Sequence, residues 1–339
     1  MKYDALGVVL ACTVCIMVDA AEIGGDSAFA TPQVNIERLS AQLQHLATFS
    51  EVPFPAVTRV LFTEQDLQAR RYVKDLMRST GLTVREDAMG NIFGRWEGSS
   101  PELPAVATGS HTDAIPFAGL YDGCVGVLGA IEAVAALRAT GFTPKRSIDV
   151  IMFTAEEPTR YGFGCVGSRA MAGVLSTATL DAAVDSVEEG GSFAKAAAKA
   201  GYGDSSNTHE DMIAACKLSS NNYSAFVELH IEQGPLLEQR GLSIGVVSAI
   251  AAPASLKVEF VGNGGHAGAL LMPLRKDAGL AAAELQLAVE EHVLATRAID
   301  TVGTAGLVTL HPGAINSVPR QAHLEIGGFP SPSPLMPCR

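Results

Sequence analysis

An α/β fold is what this sequence predicts, on three observations. Strand, helix and strand follow one another with short connections from Val106 through the run beginning at Ile148, an order that makes neighbouring parallel strands by a right-handed crossover. Three apolar, strand-like runs also carry acidic or imidazole groups at their carboxyl ends: VATGSHTDAIPFAGLYDG (Val106–Gly123), SIDVIMFTAEEPTR (Ser147–Arg160) and YSAFVELHIEQGP (Tyr223–Pro235). In α/β sheets ligand-binding groups collect where strands end and loops begin. Finally, the texture changes after Pro235 into a separate β-α-β pattern.

Taken in order, the chain opens with MKYDALGVVLACTVCIMVDAAE. Lys2 supplies a thin positive region, Ala5–Val18 is apolar but short for a membrane span, and Val18-Asp19-Ala20 suits cleavage, so residues 1–30 are expected to be a signal peptide and linker. Ile36, Leu39, Leu43 and Leu46 recur at helical spacing between Val34 and Ser50. A second helix is expected over Glu64–Ser79 with Thr63 as N-cap. LTVREDAMGNIFGRWEG alternates as a hairpin turning at Gly90-Asn91. The strand at Val106 is expected to give way to loop at Gly109-Ser110, and a helix follows from about Gly126 to Thr140, ended by Gly141. Leu180–Ser220 reads as helices and surface loops without chemistry, and His209 in it reads as a solvated surface histidine. LSIGVVSAIAAPASLKVEFVG reads as two strands. Asp277–Thr296 is a long helix with Leu280, Ala283, Leu287 and Val293 on one side. Val302–Leu310 is a strand, and another starts at Ala322–Ile326.

The 339 residues are 47% hydrophobic and 18% charged, ordinary for a globular chain with room for two domains. A net charge of -12 argues against nucleic acid, whose phosphates require a basic surface. Six cysteines form no CxxC pair or other metal spacing, so neither a thiolate zinc site nor a disulfide framework is expected.

The chemistry rests on the strand ends. His111 offers a neutral imidazole nitrogen, and Asp113, two residues on, can hold that ring in one tautomer. Asp122 stands before a glycine, either as a third metal-binding group or merely as the cap of the helix near Val125. On that stretch alone capping is the better reading. Adjacent glutamates after a hydrophobic run are usually just solvated. Beside His111 and Asp122, however, Glu156 and Glu157 fit a division of labour in which one binds metal and the other moves protons. Glu228 and His230 end the third run.

The strings GSHTDAIPFAGLYDG, FTAEEPTRYG, GSRAMAG, FVELHIEQGPLLE, GNGGHAGA and HPGAINSVP resemble, in order and over about Val34 to Ile326, the dinuclear-metal amidohydrolases of the M20 peptidase family. The resemblance is to the branch that opens ureides and carbamoyl amino acids. Within it, FTAEEPTR is similar to the plant ureidoglycolate amidohydrolases, whereas the allantoate and N-carbamoyl enzymes typically have glycine where Pro158 stands. The resemblance implies a mixed, mostly parallel sheet with helices on both faces as the catalytic domain (31–241), and a small α+β lid and dimerisation domain (242–326). His111, Asp122, Glu157 and His230 match metal positions, with Asp122 bridging two cations. Mn²⁺ is implied, with Zn²⁺ as the alternative, since mixed histidine and carboxylate ligands suit both. Glu156 matches the general base, and Asp113 the aspartate beside it. His266 matches an oxyanion-stabilising group that reaches a partner's site. Gln233, Asn316 and His266 match substrate contacts.

That resemblance also implies hydrolysis of a ureide C–N bond, most closely ureidoglycolate to glyoxylate, ammonia and carbon dioxide. The implied setting is a homodimer in the endoplasmic reticulum without stable membrane insertion. Allantoate or a carbamoyl amino acid is the alternative substrate. The segment from Gly327 onward departs from the family. GGFPSPSPLMPCR has no match to the relatives' arginine-bearing strand, their closing catalytic segment or their final histidine ligand. Residues 327–339 are therefore expected to lie outside regular structure, with both domains incomplete at that end. A third expectation follows, an inactive chain that serves only as a dimerisation partner.

Overall fold

The computed structural model describes residues 31–204, 206–250 and 254–329. The expected signal peptide lies outside the described residues. The chain forms two compact units, 1–247 and 248–339.

In the first unit, α1 (Ile36–Ala47) precedes a short strand β1 (Val57–Arg59) and α2 (Glu64–Ser79). The hairpin β2 (Thr83–Glu86) and β3 (Ile92–Trp96) follows, then β4 (Ala105–His111), β5 (Ala114–Ala118), α3 (Cys124–Ala139) and β6 (Ile148–Phe153). Four short helices, α4 (Val166–Met171), α5 (Thr177–Asp181), α6 (Phe193–Lys199) and α7 (His209–Cys216), lead to β7 (Tyr223–Val227) and α8 (Leu236–Gln239). The main sheet runs β2-β3-β6-β4-β7. Its β6–β4 and β4–β7 pairs are parallel and its β2–β3 and β3–β6 pairs antiparallel. The sheet is thus mixed.

Strand alternation divides the core. Val150 and Met152 of β6 face one side and pack with Leu43, Leu46, Val73, Met77, Val127 and Ile131 from α1, α2 and α3. Ile151 and Phe153 face the other side and pack with Phe93, Ala107 and Met171. Burying both faces of β6 is what makes Val150–Phe153 a continuous apolar run.

The strand at Val106 does not dissolve at Gly109-Ser110. It stays paired with β6 up to His111↔Phe153. Gly109 makes this possible, because a Cβ there would lie 1.9 Å from the Ile151 carbonyl oxygen. β5 was not legible either: Pro116 sits in its middle, and among the described residues it pairs only with short β1.

His209 is a correction. It is buried, its Nδ1 lies 2.7 Å from Asp181 Oδ1, and its Nε2 accepts from Ala194 N–H at 3.2 Å, so it ties three helices together.

The second unit holds β8 (Ala254–Val261), β9 (Gly265–His266), α9 (Ala278–Ala295), β10 (Val302–His311), β11 (Ser317–Val318) and β12 (Gln321–Phe329). Only one of the two strands expected between Leu242 and Gly262 is present among the described residues. Asp277 caps α9, accepting from the Gly279 and Leu280 amides. Its buried face carries Ala278 and Ala282, not the expected Leu280 and Leu287, which are mostly exposed. Small residues let the helix lie close on the sheet.

The order β10-β12-β8 makes β12 central, and it runs through Gly327, Gly328 and Phe329. This overturns the expectation that regular structure ends at Ile326. Glycine lacks a side chain but not its backbone donor and acceptor, and β8 and β10 pair on both sides of Gly327 and Gly328. The prolines begin at residue 330, outside the described residues. No helix among the described residues is long and apolar enough to cross a membrane.

Candidate metal centre

The site lies at the carboxyl ends of β4, β6 and β7, three neighbouring parallel strands of the first unit. His111 ends β4 and is buried. Its Nδ1 lies 3.0 Å from the Asp113 carbonyl oxygen and 3.6 Å from Asp113 Oδ1. That bond assigns the proton to Nδ1 and turns the Nε2 lone pair toward Glu156 Oε2, 3.5 Å away. One ligand atom from each of His111, Glu156 and Glu157 lies within 4.8 Å of the other two.

Asp113 is buried and faces backward. Its oxygens accept from the amides of Glu156 at 3.4 Å and Glu157 at 3.0 Å. One carboxylate thus fixes the backbone of both glutamates as well as the β4 loop. Burial works against its charge, yet His111, the Glu157 amide and Arg70 hold its pKa below the usual carboxylate value.

A second cluster comes from the α3 entry and the turn after β7. Asp122 Oδ2 accepts from Gln233 Nε2 at 2.6 Å, and Asp122 Oδ1 lies 3.6 Å from His230 Nε2. His230 Nδ1 lies 2.6 Å from the Ile231 carbonyl oxygen, which again leaves the Nε2 lone pair facing a carboxylate. Asp122 does not cap α3: the N-cap is Gly123, with no side-chain cap bond. Gly123 has φ 65°, and a Cβ on it would meet the His111 ring at 2.5 Å. A Cβ on Gly126 would meet Ser110 Cβ at 2.6 Å and the Leu229 carbonyl oxygen at 2.7 Å. These two glycines let the start of α3 settle onto the ends of β4 and β7. Among the described residues, the ligand atoms that come within 4.8 Å of one another are those of His111, Glu156 and Glu157; Asp122 and His230 stand outside that group.

Two imidazole lone pairs aimed at carboxylates repel them unless a proton or a cation lies between. In addition, Asp122 Oδ1 is buried without a hydrogen-bond partner among the described residues. Glu157 is pushed up to about 7 by burial and by Glu156, Asp113 and Asp122, against the influence of His111. Burial would lower His111, but Asp113 and Glu156 outweigh it and push the ring up to about 10. Such a donor set fits divalent cations held by histidine and carboxylate.

His266 and Asn316 belong to the second unit, where β9 and β11 pair as Ser317↔His266 and the Ala267 amide donates to the Asn316 carbonyl at 2.9 Å. His266 Nδ1 accepts from Gly268 N–H at 3.1 Å, so its proton sits on Nε2, free to donate.

Two groups were given no role by the sequence, Glu228 being named only as the end of its run. Glu228 accepts from Ser110 Oγ at 2.6 Å, and burial raises its pKa beside His230, His111 and Glu156. Its place two residues before His230 was the available signal. Cys165 lies 3.4 Å from Glu156 Oε1, nine residues along the chain, with no signal at all.

Residues 107–330 match Peptidase family M20/M25/M40. The chain is 61% identical over 295 residues to the ureidoglycolate hydrolase of Arabidopsis thaliana, covering 86% of this chain and 61% of that protein. It is 60% identical over 305 residues to the ureidoglycolate hydrolase of Oryza sativa subsp. japonica, covering 89% and 62%. It thus spans about three-fifths of the length of these curated relatives. Crystal structures of AtUAH, one in complex with (S)-hydroxyglycine and one with glyoxylate, superpose with a TM-score of 0.81 at 59% identity, covering 88% of this chain and 70% of that one. Strand ends, facing imidazoles and family match agree: the chain belongs to peptidase family M20/M25/M40.

Proposed function

We propose that this chain is a metal-dependent amidohydrolase of ureides, with ureidoglycolate as substrate. The observation that carries the metal chemistry is the pair of Nε2 lone pairs of His111 and His230 facing carboxylates, with Asp122 Oδ1 buried and without a hydrogen-bond partner among the described residues. Ureidoglycolate is supported by the identity to two ureidoglycolate hydrolases and by the (S)-hydroxyglycine and glyoxylate held by AtUAH.

His111, Asp122, Glu157 and His230 would hold the cations, Mn²⁺ or alternatively Zn²⁺. When bound, the cations supply Lewis acidity, polarising the ureido carbonyl and easing loss of a proton from water. Glu156 takes the proton of the attacking water and returns it to the leaving nitrogen. Asp113 acts through the backbone, keeping Glu156 and Glu157 side by side through their amides. Gln233 and Asn316 present amides, which match a group that offers donors and an acceptor together. His266, with Nε2–H free, would donate to the oxyanion from a second copy of the chain in a homodimer formed through the second unit. Hydrolysis then frees one ammonia and carbon dioxide and leaves a hydroxy-amine, which loses the second ammonia to give glyoxylate. A signal peptide at residues 1–30 would direct the chain to the endoplasmic reticulum, which a reporter fusion of that segment tests.

The deciding experiment measures ammonia released from ureidoglycolate, allantoate and N-carbamoyl amino acids with added Mn²⁺ or Zn²⁺. Preference for ureidoglycolate, lost on chelation, supports the reading. Equal or better turnover of allantoate moves the substrate, and metal-independent release overturns the mechanism.

A further inference from the structure

We propose that Cys165 is a positioning residue for Glu156: its thiol donates to one carboxylate oxygen and so holds the other toward His111. The inference rests on the reading of Glu156 as general base.

The geometry comes from a doubling back of the chain. After the turn at 158–164, the amides of Cys165, Val166 and Gly167 donate to the carbonyls of Glu156, Ala155 and Thr154 at 2.8, 2.9 and 2.8 Å. This run sets Cys165 directly across from Glu156. It requires unusual backbone on both sides, with φ 59° at Cys165 and φ 53° at Ala155, conformations that residues with a Cβ rarely adopt. It also requires Gly164, where a Cβ would lie 2.1 Å from the Glu156 carbonyl oxygen. The outcome is a Cys165 Sγ 3.4 Å from Glu156 Oε1, while Glu156 Oε2 lies 3.5 Å from His111 Nε2. Each oxygen of Glu156 therefore has its own neighbour, and the carboxylate plane is fixed.

The residue type suits the task. A lysine or arginine here would neutralise the carboxylate, whereas a thiol is a weak, uncharged donor. Burial and the adjacent Glu156 push the Cys165 thiol up to about 12, so it keeps its proton and is no nucleophile.

The test uses the full chain with Cys165→Ala, Cys165→Ser and Glu156→Ala. The S–H stretching band of Cys165 is isolated by subtracting the infrared spectrum of Cys165→Ala from wild type, and that of the double variant from Glu156→Ala. The expected band lies at lower frequency in wild type than without the Glu156 carboxylate. An unchanged band overturns the proposal. In ureidoglycolate turnover, Cys165→Ala should lower kcat about fivefold with KM little changed, the loss of one weak thiol hydrogen bond, and Cys165→Ser should restore most of it. Wild-type kcat in Cys165→Ala, or a serine variant no better than alanine, also overturns it. If wild type releases ammonia from no ureide, the functional reading falls, and the infrared comparison still decides the contact.

Discussion

The two halves of the candidate site are built differently. The half formed by β4 and β6 is interior: His111 and Asp113 are each only 3% exposed, and Glu156 and Glu157 hang on Asp113 by their amides. The half formed by Asp122, His230 and Gln233 sits on loops, with His230 and Gln233 exposed and Gln233 at φ 57°. Paired interior strands fix donors before any ligand arrives, whereas loop donors depend more on what they bind. The first half is thus the rigid template and the second the adjustable closure.

The sharpest way to break this comparison is at the base. Glu156→Gln should cut ammonia release by about 10²- to 10⁴-fold while leaving metal uptake in place, read by turnover beside calorimetric metal titration. Loss of metal binding instead would make Glu156 a ligand. Next, Asp113→Asn replaces one of the two acceptor oxygens of the rigid half with a donor and should lower metal affinity about 10- to 100-fold. Affinity equal to wild type would mean the glutamates hold their places unaided.

The third prediction contrasts the two histidines. Both alanine variants should lose metal affinity, but their effect on folding should differ. His111→Ala empties a buried, hydrogen-bonded position and should cost about 1–3 kcal/mol in chemical denaturation. His230→Ala, on the exposed half, should change metal-free stability by less than about 0.5 kcal/mol. Equal costs would erase the distinction between template and closure.

The smallest effect concerns protons. With Glu157 raised to about 7 and His111 to about 10, the metal-free site retains protons near neutrality, and a cation must displace them. Apparent affinity should therefore rise from about pH 6 to about pH 9, with proton release visible as buffer-dependent heats in calorimetry. A pH-independent affinity would contradict the raised values.

Much of this was legible from residue order. His111, Glu156, Glu157 and His230 stand at or just past strand ends that the apolar runs announce, Asp122 stands at the entry to α3, and the structure gathers those strands in one sheet. The helices over Glu64–Ser79 and Asp277–Thr296 were legible from spacing and caps. What escaped depends on tertiary contact. β5 is held by β1, Gly327 and Gly328 are strand because β8 and β10 flank them, and His209 is buried because three helices meet there. The exposed Leu280 and Leu287 show the same limit: helical periodicity marks an apolar stripe without saying which stripe is covered.

Arg59 is fully buried, and its guanidinium donates to the carbonyls of Leu46, Phe49 and Thr112. Leu46 belongs to α1, and Thr112 sits between His111 and Asp113. The same helix is hooked to α3 by Glu132, which takes the Asn35 amide and the Arg38 side chain. The amino-terminal helix is therefore a keystone behind the centre, and proteolytic trimming that passed Asn35 would slacken the loop bearing His111 from behind, without touching any residue that meets substrate.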